Sequence, residues 1–293
     1  MTLAEQIELA CLMEATARKP GNVHPAAKFD DLRYEDFVRA AHAIAGPLSA
    51  IRGHGVGRAI YNSVQATRET TGTNVNLGII LLFAPLAAVP EADRLEDGLP
   101  SVLMRMTVED AEQVYSAISL AKPGGLGKAT SQDISERPTV TLREAMALAA
   151  DRDRIAEQYV TDFKLVFDAR RKLCELLKHS IDWESVIIQL HVWIMSRWPD
   201  SLIARKCGVD LAEEASSRAR ILIDHPGAEA RFDPGQLSEF DAWLRADGHR
   251  RNPGTTADLI AATLFAALRD GLIKRPTHKA VMEKAKAIAN EQP

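Results

Sequence analysis

Four short turns constrain this chain more than any single residue does. Arg18-Lys-Pro-Gly-Asn-Val-His24, Gly72-Thr-Asn-Val-Asn-Leu-Gly78, Lys122-Pro-Gly-Gly-Leu-Gly127 with Lys128, and Asn252-Pro-Gly-Thr-Thr-Ala-Asp258 each interrupt segments whose apolar residues recur at helical spacing. Pro and Gly stop helices, while Asn, Thr and Asp start them, so the turns read as joints between helices. Between the joints, stripes such as Leu3, Ile7, Ala10, Cys11 and Glu14, or Phe37, Ala40, Ala41, Ile44 and Leu48, keep a period near 3.6, and no run alternates as a strand would. The expected fold is all-α: a single globular multi-helical domain over residues 1–293, with about ten or more helices.

Local signals set the boundaries. Thr2 with Glu5, and Thr141 with Glu144, have the spacing of capping boxes. The second of these predicts a helix that carries Asp151-Arg-Asp-Arg154 and runs on through Tyr159. The Thr70–Val89 stretch passes abruptly from small polar residues to the apolar run Ile79–Val89, the pattern of a polar turn feeding a buried helix. Aromatic residues are only 5% of the chain, which favours close-packed helices over a sandwich or barrel. The formal net charge of −4 gives no case for nucleic acid or a membrane surface as partner. Cys11, Cys174 and Cys207 are odd in number and far apart, so neither a disulfide framework nor a zinc site is expected. The apolar run is shorter than the ~20 residues that span a bilayer and the N-terminal segment lacks a leader pattern, so a soluble cytoplasmic protein is expected.

The turns also carry the chemistry. Unpaired N–H groups at a helix start, with the positive end of the helix dipole, suit phosphate. Lys19, Lys122 and Lys128 stand beside Gly-rich backbone, where small residues let an anion approach closely. Neither a Walker loop nor a dinucleotide-binding fingerprint is present. Carboxylates supply the second signal. Asp31, Asp151 and Asp153 are candidate Mg²⁺ ligands, since Mg²⁺ takes one or two carboxylates together with phosphate oxygens. Asp200 and Asp258 lie at predicted helix starts, where capping competes with catalysis. His191 falls on an apolar face, and His24, in the basic turn, is the better functional histidine. The residues alone point to a helical protein with a polyanion site for Mg²⁺-nucleotide or diphosphate.

Taken in order, the four turns resemble those of the triphosphoribosyl-dephospho-CoA synthase family, from about Glu14 to Leu268. The resemblance implies an all-helical transferase. An acceptor hydroxyl of dephospho-CoA attacks C1′ of ATP, adenine leaves, and the triphosphate stays on the product. It implies ATP as a substrate with Mg²⁺, small-molecule substrates rather than nucleic acid or membrane as partners, and a homodimer as an allowed assembly. By matching segments it places Lys19, Gly21, Asn22 and His24 in the first motif and Asn74 and Asn76 in the second. Lys122, Gly124 and Gly125 would form a phosphate loop, Arg205 would bind substrate, and Asp258, Asp200 and His24 would be the catalytic groups. On this reading Lys19→Ala and Asp258→Ala abolish turnover with little loss of fold. The departures are local: Asn76 and Leu77 stand where synthases tied to citrate lyase read His and Lys, and Thr255-Thr256 replaces Gly-Ser. Alternatives are a Mg²⁺-dependent helical enzyme acting on a phosphorylated intermediate of tetrahydromethanopterin- or methanofuran-type cofactor synthesis, or a non-catalytic nucleotide-binding helical protein.

Overall fold

The computed structural model describes residues 1–123, 132–180, 182–224, 232–274 and 276–291. Among them the chain forms sixteen helices. In order these are α1 (Leu3–Thr16), α2 (Tyr34–Ser49), α3 (Ile51–His54), α4 (Val56–Thr71), α5 (Leu77–Ala88), α6 (Leu95–Met104), α7 (Val108–Ala121) and α8 (Leu142–Ala147). They continue as α9 (Arg154–Val160), α10 (Lys164–His179), α11 (Trp183–Arg197), α12 (Ser201–Cys207), α13 (Val209–Asp224), α14 (Pro234–Arg245), α15 (Gly254–Arg269) and α16 (His278–Asn290). No described helix is long and apolar enough to cross a membrane.

The capping boxes form as the spacing requires. The Thr2 hydroxyl accepts from the Glu5 N–H at 3.3 Å while the Glu5 carboxylate accepts from the Thr2 N–H at 2.7 Å. Thr141 and Glu144 repeat the arrangement at the start of α8. The long helix expected beyond Thr141 does not form. Asp153 takes extended backbone, and its carboxylate accepts from the N–H groups of Ile155 and Ala156 at 2.8 and 3.2 Å, so a new helix begins there. A carboxylate three residues before buried Ala156 competes better as a cap than as a mid-helix residue.

The core is built on α1, α5 and α15. Nearly every residue of α5 from Ile79 to Ala87 is buried, as is α15 from Leu259 to Leu268. Phe83 stacks on Phe265 where the two helices meet, with ring centroids 4.7 Å apart. Helices α11, α13 and α14 share a second, smaller cluster around Met195, Ala215 and Phe240.

Pro85 lies inside α5 and removes the N–H that would bond the carbonyl of Leu81 one turn earlier. The helix continues through it because a distant side chain supplies the missing donor. The hydroxyl of fully buried Tyr159, on α9, donates to the Leu81 carbonyl at 2.7 Å. Tyr159→Phe is therefore expected to destabilise the fold by about 1–3 kcal/mol, the cost of a buried carbonyl left unpaired. Pro85→Ala restores a backbone donor to the same carbonyl, so it should suppress most of that loss. Urea unfolding of the two single variants and the double variant measures the coupling, and strictly additive losses would refute the assignment.

Candidate active site

All four turns send residues to one cavity of about 1100 Å³. Asn22 and Val23 come from the first, Asn74 to Gly78 from the second, Lys122 and Pro123 from the third, and Asn252, Gly254, Thr255, Ala257 and Asp258 from the fourth. The start of α9 adds Asp153 and Arg154 to the wall, and α12 adds Ser201 from its first turn and Arg205 from its last.

The starts of α9, α12 and α15 are tied together by short polar side chains. The Ser201 hydroxyl accepts from the Arg154 N–H at 3.2 Å and donates to the Thr255 hydroxyl at 3.1 Å. Beneath them Asp200, 2% exposed, has both carboxylate oxygens engaged. One accepts from Leu202 N–H and Ile203 N–H at 2.8 and 3.0 Å, and the other from the N–H and hydroxyl of Thr256 at 2.7 and 2.8 Å. Burial raises its pKa against the pull of those donors. Asp200 does not border the cavity; it fastens α12 to α15.

Asp258, in the first turn of α15, does border the cavity. Its carboxyl packs so closely on Gly78 that any side chain at that position would collide with it. Burial raises the Asp258 pKa well above the carboxylate range, and the charges of Glu14, Asp200 and Asp153 raise it further, while Arg205 opposes. Glu14, on the inward stripe of α1, is also a cavity residue and is 4% exposed.

Lys19 explains how that carboxylate is tolerated. The Lys19 ammonium is fully buried, lies 2.9 Å from the Glu14 carboxylate, and also donates to the carbonyls of Glu14 and Ala17. Lys19 is thus absent from the cavity wall where the sequence placed it as an anion ligand. Gly21 is likewise off the wall. Its φ of 77° suits glycine, its N–H donates to Asp241 at 2.7 Å, and a Cβ there would meet Pro253 at 2.8 Å. His24 is also off the wall: burial, then the charges of Arg245 and Lys19, lower its pKa to about 4.

The other expected residues reach the cavity with different commitments. Asn74 caps α5 by accepting from the Leu77 N–H at 3.2 Å. Asn22 and Asn76, 5% and 4% exposed, each leave one amide atom unpaired, Oδ1 of Asn22 and Nδ2 of Asn76. Asn22 Nδ2 is held by Asn252 at 2.7 Å, and Asn76 Oδ1 by Thr67 at 3.1 Å. Lys122 ends α7 with φ 48° and lines the wall. Gly124 and Gly125 lie outside the described residues. Arg205 also faces the cavity, 3.4 Å from Asp153. Among the proposed metal ligands Asp31 and Asp151 are exposed on the wall, whereas Asp153 is shared between its helix cap and Arg205. No three metal-ligating side chains cluster among the described residues.

Glu14 and Arg68 line the cavity but were not singled out from the sequence. Glu14 had a signal, a carboxylate on an otherwise apolar stripe of α1. Arg68 had none beyond its place in the last turn of α4. It lines the cavity, and among the described residues its guanidinium has no hydrogen-bond or ion-pair partner.

A family profile described as ATP:dephospho-CoA triphosphoribosyl transferase matches residues 1–277. A crystal structure from Archaeoglobus fulgidus that bears the name triphosphoribosyl-dephospho-CoA synthase superposes with a TM-score of 0.63 at 24% identity, covering 79% of this chain and 98% of that one. At that identity the likeness is one of fold. No curated protein sequence matches the chain.

Because Lys19 neutralises a buried carboxylate, Lys19→Ala is expected to destabilise the fold by roughly 3–5 kcal/mol rather than leave it intact. Denaturant unfolding that matches the wild type would overturn this role. A second expectation concerns His191, which is fully buried with neither ring nitrogen in good hydrogen-bond geometry. Burial, then the nearby Lys19 charge, lowers its pKa to about 3. Unfolded, it titrates near 6.5, so between these values the unfolded chain binds the extra proton. Stability through this group falls as pH drops from about 6.5, by at most about 1.4 kcal/mol per pH unit. His191→Leu should flatten the stability–pH slope between pH 6.5 and 4 relative to the wild type.

Proposed function

This chain belongs to the ATP:dephospho-CoA triphosphoribosyl transferase family, and we propose that the cavity beneath Asp258 is where the transfer takes place. The protein is a transferase that joins the triphosphoribosyl group of ATP to a hydroxyl of dephospho-CoA and releases adenine. The observation that carries the placement is the convergence of all four turns on a cavity containing one carboxyl whose surroundings favour the protonated state.

The chemistry asks for a proton at the departing adenine and for removal of one from the attacking hydroxyl. Asp258 is suited to both. It gives its proton to the adenine ring as the C1′–N bond breaks and its electron pair moves to the base. It regains one from the acceptor hydroxyl as the new C–O bond forms. Burial, with the nearby negative charge of Glu14, which is ion-paired with Lys19, favours the proton on Asp258 beforehand. The same charge favours positive character developing at C1′. Asp200 is assigned a positioning role, since its oxygens are saturated by helix N–H groups and Thr256. Arg205 and Lys122 are assigned to substrate phosphates, and Asn22 offers Oδ1 as an acceptor to a substrate N–H or O–H. Asp31 and Asp151 fit a Mg²⁺ ion arriving with the triphosphate, which needs only one or two protein carboxylates and would supply charge neutralisation.

Incubation with ATP and Mg²⁺ should release adenine only when dephospho-CoA is added. Asp258→Asn should lose at least about a thousandfold in kcat while retaining ATP affinity, as expected when a proton-transfer group is removed. Since the protonated acid is the active form, the wild-type rate should fall as pH rises through the elevated pKa of Asp258. Near-wild-type kcat in Asp258→Asn would sink the assignment.

A further inference from the structure

The start of α5 collects unused hydrogen-bond donors, and they come from two directions. Asn76 immediately precedes the helix but does not cap it. Its Oδ1 is occupied by the Thr67 hydroxyl, which turns Nδ2, buried and unpartnered, to the other side. The Leu77 N–H is taken by Asn74, and the Ile80 N–H by the Asn76 carbonyl. The N–H groups of Gly78 and Ile79 between them have no partner among the described residues, and both residues border the cavity. From the end of α4, Arg68 reaches the same wall and shares a narrow crevice with Asn74 and Asn76. A guanidinium, a side-chain amide N–H and two helix-terminal N–H groups face one corner of the cavity, and an unsatisfied buried donor is costly unless a ligand completes it.

We propose that this corner, formed by Arg68, Asn76 Nδ2 and the Gly78 and Ile79 N–H groups, is the subsite that holds the triphosphate of ATP. The proposal rests on the transferase reading above and fixes the orientation of the donor substrate within the cavity. All the groups are donors, which suits phosphoryl oxygens, and the planar fork of arginine matches them in geometry as well as charge. The Asp258 carboxyl at Gly78 then lies beside the ribose end of the bound triphosphate, where the bond to adenine breaks. The other arginines of the cavity differ in character. Arg152, Arg154 and Arg205 are each matched by a carboxylate, Asp151, Glu157 and Asp153 respectively. Among the described residues Arg68 carries no such counter-charge, so an incoming polyanion displaces no ion pair there.

Titration calorimetry with inorganic tripolyphosphate, ATP and adenosine separates this subsite from the rest of the cavity. Arg68→Gln and the near-isosteric Asn76→Asp should each weaken tripolyphosphate and ATP by about tenfold or more, the loss expected for one charge-assisted contact. Adenosine affinity should not change. Arg68→Lys, which keeps the charge without the fork, should fall between wild type and Arg68→Gln, and guards against a folding defect in the glutamine variant. Unchanged tripolyphosphate binding in Arg68→Gln, or a loss confined to Arg205→Gln, would overturn the proposal, as would equal losses for adenosine. The two readings fail separately. Tripolyphosphate binding that depends on Arg68 in a protein releasing no adenine supports the subsite and refutes the transfer. Adenine release with an unchanged KM for ATP in Arg68→Gln refutes the subsite and keeps the transfer.

Discussion

The site depends first on the carboxylate of Asp200. Burying a charge in an apolar interior is costly, and only a full complement of donors makes it tolerable. Asp200 finds them at two helix starts: N–H groups of α12 on one oxygen, and Thr256 at the start of α15 on the other. The positive ends of two helix dipoles add to the effect. One residue thereby sets the distance between α12, which brings Arg205 to the cavity, and α15, which brings Asp258. The Arg154–Ser201–Thr255 chain extends the same bracing to α9.

Two aspartates near the same joint acquire opposite characters from their surroundings. Asp200 is surrounded by donors and has none left to engage, so it is structural. Asp258 has no such donors among the described residues, and burial, then the charges of Glu14, Asp200 and Asp153, raise its pKa. The difference follows from which groups the fold places around each one, since the side chains are identical. Glu14 is in turn ion-paired in the interior with Lys19, whose buried ammonium does not border the cavity. The acid–base character of the cavity thus depends in part on Lys19, which does not border it.

Much of the fold was legible because helix signals are local. Thr2 with Glu5 and Thr141 with Glu144 form the boxes their spacing implies, and the inward stripe of α1 is the one that the apolar residues define. The four turns that bound the cavity were legible for the same reason. Where a local signal had two outcomes, the structure chose between them: Asp153 became a cap and split one expected helix into α8 and α9. The helix α5 persists through Pro85 because Tyr159, 74 residues later in the chain, supplies the donor that proline removed. No window of sequence contains both residues.

The sequence by itself determined that this chain is helical, that polar turns carrying Asn, Asp and Lys join its helices, and that those turns resemble one family of transferases. Helix periodicity, caps and breakers act within a few residues, so they are written in the order of the chain. Only the tertiary structure decided which charges face one another. It withdrew Lys19 into the interior, saturated Asp200, buried Asp258 against Gly78 where its pKa is raised, and added Glu14 and Arg68 to the cavity. Burial and charge pairing are properties of neighbours in space, and a lysine that binds substrate reads the same in one dimension as a lysine that neutralises a buried glutamate.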